Sequence, residues 1–204
     1  MTAGSFRPRL LVVAGPNGAG KTTITERGLA HQWFGGCEYV NPDLVAQELG
    51  DWNDPEIVLR AAQIAAERRE ACLRDQRSLA FETVFSAPDK LDFVRRARAA
   101  GYFVRIFFVG TERPEINAAR IARRVLEGGH EVPIRKIVDR WAKSIANAAA
   151  VAAEVDRIYL YDNSIDDRDA DLVVRASAGR VVKTYVAPPA WMGPIVQRLF
   201  PVVE

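Results

Sequence analysis

A glycine-rich segment near the N-terminus has the residue types and spacing of a loop that binds phosphate. Residues 15–22 read Gly-Pro-Asn-Gly-Ala-Gly-Lys-Thr, which fits the pattern G-x-x-x-x-G-K-[ST] at every fixed position. Backbone N–H groups of such a loop turn toward an anion, and the following helix adds its dipole. Lys21 is expected to reach the β- and γ-phosphates, and Thr22 to ligate Mg²⁺. The predicted contacts of a nucleoside triphosphate are Gly15, Pro16, Asn17, Gly18, Ala19, Gly20, Lys21, Thr22 and Thr23.

Two acidic residues follow short apolar segments and could act on a phosphoryl acceptor. Asp43 could accept the proton of an attacking hydroxyl, but it could equally cap a helix over residues 44–49, because Asp is favoured there. Glu82 ends an apolar segment and could bind substrate or hold Mg²⁺ through water; a salt-bridged strand end is the alternative. Thr83 beside it could bind a substrate oxygen.

A third group with possible chemistry consists of arginines at helical spacing. Arg120 lies three residues before Arg123 and four before Arg124, so it shares a helix face with each of them. Clustered cations repel one another unless an anion or carboxylates neutralise them. They could therefore clamp a transferring phosphoryl group, or one of them could simply lie on a solvated face.

A loop with two consecutive glycines connects two predicted helices and predicts a hinge. Residues 127–133 read Glu-Gly-Gly-His-Glu-Val-Pro, and the proline is suited to start the next helix. We therefore expect a small helical lid over roughly residues 112–140 that excludes water. Arg140 could bring a further cation from this lid, or form an ion pair with Asp139. His130 could be a general base, although a single loop histidine more often makes only a structural hydrogen bond.

These candidates must be positioned by short strands that alternate with longer helices. Continuous apolar strands predict a mostly parallel sheet that is covered on both faces by helices, a three-layer α/β/α architecture in one domain over residues 1–204. Ligands then bind beyond the carboxyl ends of the strands, where the candidates lie. The last two strands are close enough to form a hairpin. The predicted strands are Arg9–Ala14, Glu38–Val40, Leu79–Glu82, Tyr102–Val109, Arg157–Tyr161, Leu172–Arg175 and Arg180–Tyr185, and the helices Thr22–Ala30, Leu44–Leu49, Pro55–Arg74, Pro88–Ala100, Pro114–Glu127 and Pro133–Glu154.

The composition indicates an ordinary globular chain. Of the 204 residues 49% are hydrophobic and 26% charged, and the net charge of +2 makes nucleic acid an unlikely partner. Cys37 and Cys72 have no metal-type spacing, so we expect no zinc site and a reducing compartment. We find no signal peptide and no apolar run long enough to span a membrane, and expect a cytoplasmic protein.

Taken together, the motifs resemble the zeta toxin family of P-loop kinases. The resemblance covers roughly residues 9–165 and rests on the order and spacing of the whole set, since many families share the phosphate loop. The set comprises GPNGAGKTT, Asn-Pro-Asp at 41–43, Phe-Glu-Thr at 81–83, Arg-x-x-x-Arg-Val at 120–125, Gly-Gly-His-x-Val-Pro at 128–133 and Tyr-Asp-Asn-Ser at 161–164.

The resemblance implies a P-loop NTPase fold and an ATP- and Mg²⁺-dependent kinase whose family acceptor is the 3′-hydroxyl of UDP-N-acetylglucosamine. By position Asp43 matches the catalytic base, and Glu82 falls in the substrate-binding segment. Arg120 or Arg124, together with Arg140, match arginines that approach the phosphates. It also implies a possible antitoxin partner. The segment after Glu82 is more apolar than expected for recognition of a nucleotide sugar.

Two other functions are compatible with a phosphate loop. A nucleotide-driven ATPase or switch is one, but the sequence lacks the guanine-reading Asn-Lys-x-Asp, the Leu-Ser-Gly-Gly-Gln of transporter ATPases, and a strand ending in an Asp-Glu pair. A polynucleotide 5′-hydroxyl kinase is the other, and the small net charge disfavours it. We therefore expect transfer of the γ-phosphoryl group to the hydroxyl of a small molecule.

Overall fold

A seven-stranded sheet forms the centre of the molecule, which is described as a computed structural model over residues 7–29, 34–50, 54–127 and 132–200. The elements are β1 Arg9–Ala14, α1 Lys21–Leu29, β2 Glu38–Val40, α2 Pro42–Leu49, α3 Pro55–Arg74, β3 Leu79–Thr83, α4 Pro88–Ala99, β4 Phe103–Gly110, α5 Pro114–Leu126, α6 Ile134–Val151, β5 Arg157–Asp162, β6 Asp171–Ser177, β7 Arg180–Thr184, a 3₁₀ turn Ala190–Met192, and α7 Gly193–Val196.

The strand order is β2-β3-β1-β4-β5-β6-β7. The first five strands are parallel, whereas β5–β6 and β6–β7 pair in antiparallel fashion. This confirms the mostly parallel sheet. The hairpin expected from the last two strands is also present, at one edge. Ala14, the last residue of β1, pairs with Thr83, the last residue of β3, and with Phe108, so β1 and β3 end level and β4 continues two residues beyond them.

The apolar residues of the strands face two different layers of helices. On one face, a large buried cluster includes Val12, Phe81 and Ile106 from the strands together with residues of α3, α4, α6 and α7. On the other face, a smaller cluster includes Leu11 and Val13 and packs against Ile24 of α1. Helices therefore cover both faces, and the three-layer expectation is confirmed.

The start of α2 corrects one interpretation of Asp43. The helix begins at Pro42, and its N-cap is Asn41, whose Oδ1 accepts a hydrogen bond from the Asp43 backbone nitrogen at 2.9 Å. Proline is favoured in the first helical position because it has no N–H to leave unpaired there. The helix therefore starts earlier than expected, and Asp43 is not its cap. The Asp43 side chain is exposed in the first turn.

No helix in the described parts of the chain is both long and apolar enough to cross a bilayer.

Candidate active site

The phosphate loop connects β1 to α1 and takes a conformation that requires its glycines. Gly15, Gly18 and Gly20 have φ angles of 149°, 75° and 88°, values that other residues rarely adopt. A Cβ atom on Gly15 would come within 2.0 Å of the Val109 backbone oxygen. The motif glycines are thus needed both for the turn itself and for its close approach to β4.

Two asparagines brace this loop from outside the motif. Asn117 of α5 is fully buried, and its Nδ2 donates to the Asn17 backbone oxygen at 2.6 Å. Asn163, which follows β5, donates from Nδ2 to the Ala19 oxygen at 2.8 Å. Sequence reasoning missed both roles. Asn163 belongs to the Tyr-Asp-Asn-Ser motif at 161–164 and could have been found there, whereas no motif in the sequence includes Asn117.

Lys21 begins α1 and lies at the centre of the charged groups. Its Nζ donates to the Pro16 oxygen at 3.1 Å, so the ammonium folds back over its own loop. Burial lowers the pKa of Lys21 to about 8. The charges of Glu82 and Asp43 oppose that shift, and those of Arg124 and Arg140 add to it. The structure therefore brings these four predicted residues within electrostatic range of Lys21.

The side chains of Glu82 and Thr83, at the end of β3, make different hydrogen bonds. The Thr25 hydroxyl of α1 lies 2.5 Å from Glu82 Oε1. Thr83 is buried, and its Oγ1 accepts the backbone N–H of Phe85 at 3.0 Å. Phe85 has a φ of 61°, so this hydrogen bond supports a left-handed turn. The Thr83 hydroxyl keeps its proton, which it can donate to a second partner.

The arginines predicted as a clamp lie in different surroundings. Arg120 Nε donates to Asp166 Oδ1 at 2.7 Å, and its Nη1 lies 3.4 Å from the Gly18 oxygen. Arg123 approaches the other oxygen of Asp166 at 3.6 Å. Arg120 lowers the pKa of Asp166 by hydrogen bonding to it. Arg124 instead acts electrostatically on Lys21, and among the described residues it takes part in no ion pair.

Arg140 of α6 reaches the phosphate loop directly. Its Nη1 donates to Asn17 Oδ1 at 3.2 Å. The next residue, Trp141, donates from Nε1 to the Thr111 oxygen at 3.0 Å, just beyond β4. Helix α6 is therefore fastened to the sheet edge where it passes the loop. The glycine pair and His130 of the predicted hinge lie outside the described residues.

A cavity of about 280 Å³ opens beside the phosphate loop. Gly18 and Gly20 form one wall, Arg120 and Arg123 of α5 a second, and the segment after β5, from Asn163 to Arg168, a third. Asp166, which holds both arginines, was not among the residues predicted from the sequence. In the strand order, Glu82 of β3 and the segment after β5 that lines this cavity lie on opposite sides of β1, so the site has two compartments.

The described residues contain no cluster of three or more histidine, cysteine, aspartate or glutamate side chains suited to a metal ion. Thr22 is exposed in the first turn of α1, directly after Lys21. Mg²⁺ commonly takes only one or two protein oxygens and completes its shell with phosphate and water. A single threonine hydroxyl beside the phosphate loop fits that mode of binding.

A profile of the zeta toxin family matches residues 2–175 of this chain. The chain belongs to the zeta toxin family. A curated relative, an uncharacterized protein of Haemophilus influenzae, is 24% identical over 122 residues, which are 60% of this chain and 84% of the relative. The resemblance expected from the ordered motifs is therefore confirmed for most of the chain.

Solved structures share the fold of this zeta toxin family member. A complex described as AvrRxo1-ORF1:-ORF2 with ATP has a TM-score of 0.67 at 17% identity, covering 96% of this chain and 64% of that one. The structure of the PezAT chromosomal toxin–antitoxin system of Streptococcus pneumoniae has a TM-score of 0.58 at 19% identity, covering 83% and 72%. The chain thus spans less than two thirds of the AvrRxo1 structure, and at these identities the likeness establishes the fold alone.

Proposed function

We propose that this protein is an ATP-dependent kinase that transfers the γ-phosphoryl group to a hydroxyl of a small molecule, with UDP-N-acetylglucosamine or a related metabolite as acceptor. The observation that carries the proposal is that two carboxylates, Asp43 and Glu82, and two arginines lie within electrostatic range of the buried Lys21. Phosphoryl transfer depends on charge stabilisation and on a residue that orients the acceptor. Family membership supports the same reaction class.

In this proposal the triphosphate lies along the glycine loop with its nucleoside in the cavity beside Gly18 and Arg120. The loop N–H groups and the N-terminus of α1 bind the phosphates. Lys21 and Arg124, with Arg140 from α6, stabilise the negative charge that spreads over the oxygens during transfer. Thr22 would hold Mg²⁺, which when bound neutralises part of the triphosphate charge.

Asp43 acts on the acceptor in this scheme. Its exposed carboxylate orients the hydroxyl and accepts the proton as the acceptor oxygen bonds to the γ-phosphorus. The bond between the γ-phosphorus and the bridging oxygen breaks, and ADP leaves with that oxygen. Glu82 holds the acceptor in line for this displacement. The transfer therefore needs a hydroxyl on the same side of the loop as the acids.

We further propose that α5 and the start of α6 form the lid over residues 112–140. Asn117 and Trp141 fasten the two helices near the sheet, so closure is confined to the ends of the helices that lie farther from these anchors. Arg124 lies on the α5 part of that segment, beyond Asn117. Closure would bring Arg124 onto the γ-phosphate and exclude water.

The deciding experiment follows label from [γ-³²P]ATP. Purified protein is incubated with UDP-N-acetylglucosamine and, separately, with a metabolite extract, and the labelled products are identified by mass spectrometry. Label in a small hydroxyl compound supports the kinase. Release of inorganic phosphate that no acceptor alters would favour an ATPase or switch, and label on an added 5′-hydroxyl oligonucleotide would favour a polynucleotide kinase.

We also infer a protein inhibitor, because the S. pneumoniae structure is described as a toxin–antitoxin system. Expression of the chain alone should then arrest growth, and co-expression of a reading frame adjacent to its gene should restore growth. Unimpaired growth on expression of an active kinase would remove the inference of toxicity.

A further inference from the structure

A buried threonine hydroxyl that the proposed mechanism does not use lies beside the Glu82 carboxylate. Thr25 of α1 is 2% exposed and lies one helical turn after Lys21. Its Oγ1 lies 2.5 Å from Glu82 Oε1 and 3.2 Å from the Lys21 backbone oxygen. A hydroxyl has one proton to donate, and an ionised carboxylate can only accept. The shorter contact therefore takes the proton, and one oxygen of Glu82 is fixed to α1.

Tyr39 of β2 lies next to this contact. Tyr39 pairs with Ala80 in the parallel register of β2 and β3, two positions before Glu82. Side chains two residues apart in a strand point to the same face, so the phenol and the Glu82 carboxylate share one side of the sheet. Burial raises the pKa of Tyr39 to about 12, the Glu82 charge adds to the rise, and the hydrogen bond that Asn41 donates opposes it. The phenol therefore keeps its proton near neutral pH.

Asn41 connects this pair to the second acid. Its Nδ2 donates to the Tyr39 hydroxyl at 3.2 Å, while its Oδ1 accepts the Asp43 backbone N–H at 2.9 Å. One amide thus joins the phenol to the first turn of α2. Hydrogen bonds therefore join Tyr39, Asn41 and the Asp43 backbone on α2, and separately Thr25 and Glu82, while the Tyr39 phenol and the Glu82 carboxylate share one face of the sheet.

We propose that Thr25 and Tyr39 are positioning residues that hold Glu82 and Asp43 in fixed positions relative to the phosphate loop. The inference rests on the proposed function, because the roles of the two acids come from it. Thr25 acts by orienting the Glu82 carboxylate. Tyr39 acts by lying on the same sheet face as that carboxylate while its hydroxyl accepts the amide of Asn41, the N-cap of α2. Neither side chain touches the transferred group.

The kinetic test compares variants that differ only in a hydroxyl. Thr25→Val and Tyr39→Phe keep the side-chain shape but remove the hydroxyl, whereas Thr25→Ser retains it. We expect the kcat for phosphorylation of UDP-N-acetylglucosamine to fall about tenfold in the first two with an unchanged KM for ATP, and Thr25→Ser to stay near wild type. Thr184→Val and Tyr185→Phe, both exposed at the sheet edge, are matched controls that should leave kcat unchanged.

A double-mutant cycle with Glu82→Gln then separates positioning from simple packing. If Thr25 acts through Glu82, Thr25→Val should lower kcat far less in the Glu82→Gln background than in wild type. Equal fold losses in both backgrounds would overturn the proposal, even if the variants were less stable. A Thr25→Ser variant as slow as Thr25→Val would overturn it as well.

The same cycle measured by urea unfolding needs neither nucleotide nor acceptor. We expect the shifts in urea midpoint for Thr25→Val and Glu82→Gln to be non-additive, because the two side chains share one hydrogen bond. Additive shifts would overturn the proposed Thr25–Glu82 interaction, whatever the activity of the protein. A wild-type chain that shows this coupling but neither transfers phosphate from ATP nor hydrolyses ATP would instead overturn the proposed function and leave the Thr25–Glu82 interaction supported.

Discussion

The two sides of the candidate site are held together in different ways. On the phosphate side, Asn117 and Asn163 donate to backbone oxygens of one continuous loop, whose shape also depends on glycine φ angles. On the acid side, Asp43 and Glu82 lie almost forty residues apart. Side-chain hydrogen bonds link Asn41 to Tyr39 and to the Asp43 backbone, and link Thr25 to Glu82. On the phosphate side, side chains therefore hold a backbone segment, whereas on the acid side the bonds at Glu82 and Tyr39 are made between side chains.

This difference suggests how the two sides respond to substitution. The phosphate loop binds through backbone N–H groups, which most substitutions keep. A substitution there should therefore be tolerated only where the new side chain does not collide with neighbouring atoms. The acid side depends on individual functional groups, and the loss of one should alter chemistry without altering nucleotide binding. The following variants test that separation.

The largest effect is expected from Asp43→Asn. Loss of the base should lower kcat for phosphoryl transfer about a thousandfold, within the range for general-base catalysis, while ATP affinity changes little. Steady-state transfer rates and calorimetric ATP binding measure the two quantities. Glu48→Gln, on the same helix, is the matched control. Near-normal transfer by Asp43→Asn would remove the assignment of Asp43 as base.

Lys21→Ala should lower both the kcat for phosphoryl transfer and the affinity for ATP. The ammonium binds the phosphates in the ground state and stabilises charge in the transition state, so we expect kcat to fall about a hundredfold and ATP affinity to weaken. Lys143→Ala, an exposed lysine paired with Asp139, serves as control. Unchanged ATP affinity would show that the loop backbone alone binds the triphosphate.

A pair of glycine variants separates collision from backbone strain. Gly15→Ala would place its Cβ 2.0 Å from a backbone oxygen, and we expect it to lower the free energy of unfolding by about 3 kcal/mol or more. A Cβ atom at Gly101 would have no neighbour within 4 Å, but the residue has a φ of +89°. Gly101→Ala should therefore lower the free energy of unfolding only through its left-handed backbone, by about 1–2 kcal/mol. Urea unfolding measures both. Equal losses would mean that β4 shifts to accommodate the new methyl group.

Arg124→Met and Arg120→Met should differ because their surroundings differ. We expect Arg124→Met to lower kcat roughly ten- to a hundredfold, since the exposed guanidinium acts toward Lys21. Arg120→Met should mainly raise the KM for ATP, because Arg120 lines the cavity with Asp166. Initial rates over a range of ATP concentrations separate the two parameters. The reverse pattern would place the phosphoryl group nearer Arg120.

The smallest effect is a dependence of ATP affinity on pH. Burial lowers the Lys21 pKa to about 8, and bound phosphate favours the charged ammonium and so raises that pKa in the complex. Binding must then take up a proton above pH 8, and affinity should fall about tenfold per pH unit there. Titration of a fluorescent ATP analogue from pH 7 to pH 9.5 tests this. Lys21→Arg stays charged and should show no such decline.

Much of the fold could be predicted because local patterns and tertiary packing agree. The strands Arg9–Ala14 and Glu38–Val40 and the helix Pro55–Arg74 have the predicted bounds, since apolar runs and proline starts leave little choice. Asp43 as a cap was wrong, because Asn41 precedes a proline that can begin the helix. The role of each predicted site residue in catalysis stays a prediction.

The sequence by itself determined the phosphate loop, the alternation of strands and helices, and the family, because these depend on contiguous residues and their order. Only the tertiary structure decided that Arg120 pairs with Asp166 while Arg124 lies within electrostatic range of Lys21. It also decided that Asn117 hydrogen-bonds to the phosphate loop and Thr25 to Glu82. The reason is physical: helical spacing places Arg120 and Arg124 on one face, but their partners come from distant segments. Which carboxylate or carbonyl meets a side chain depends on how the strands pair, and no local spacing contains that information.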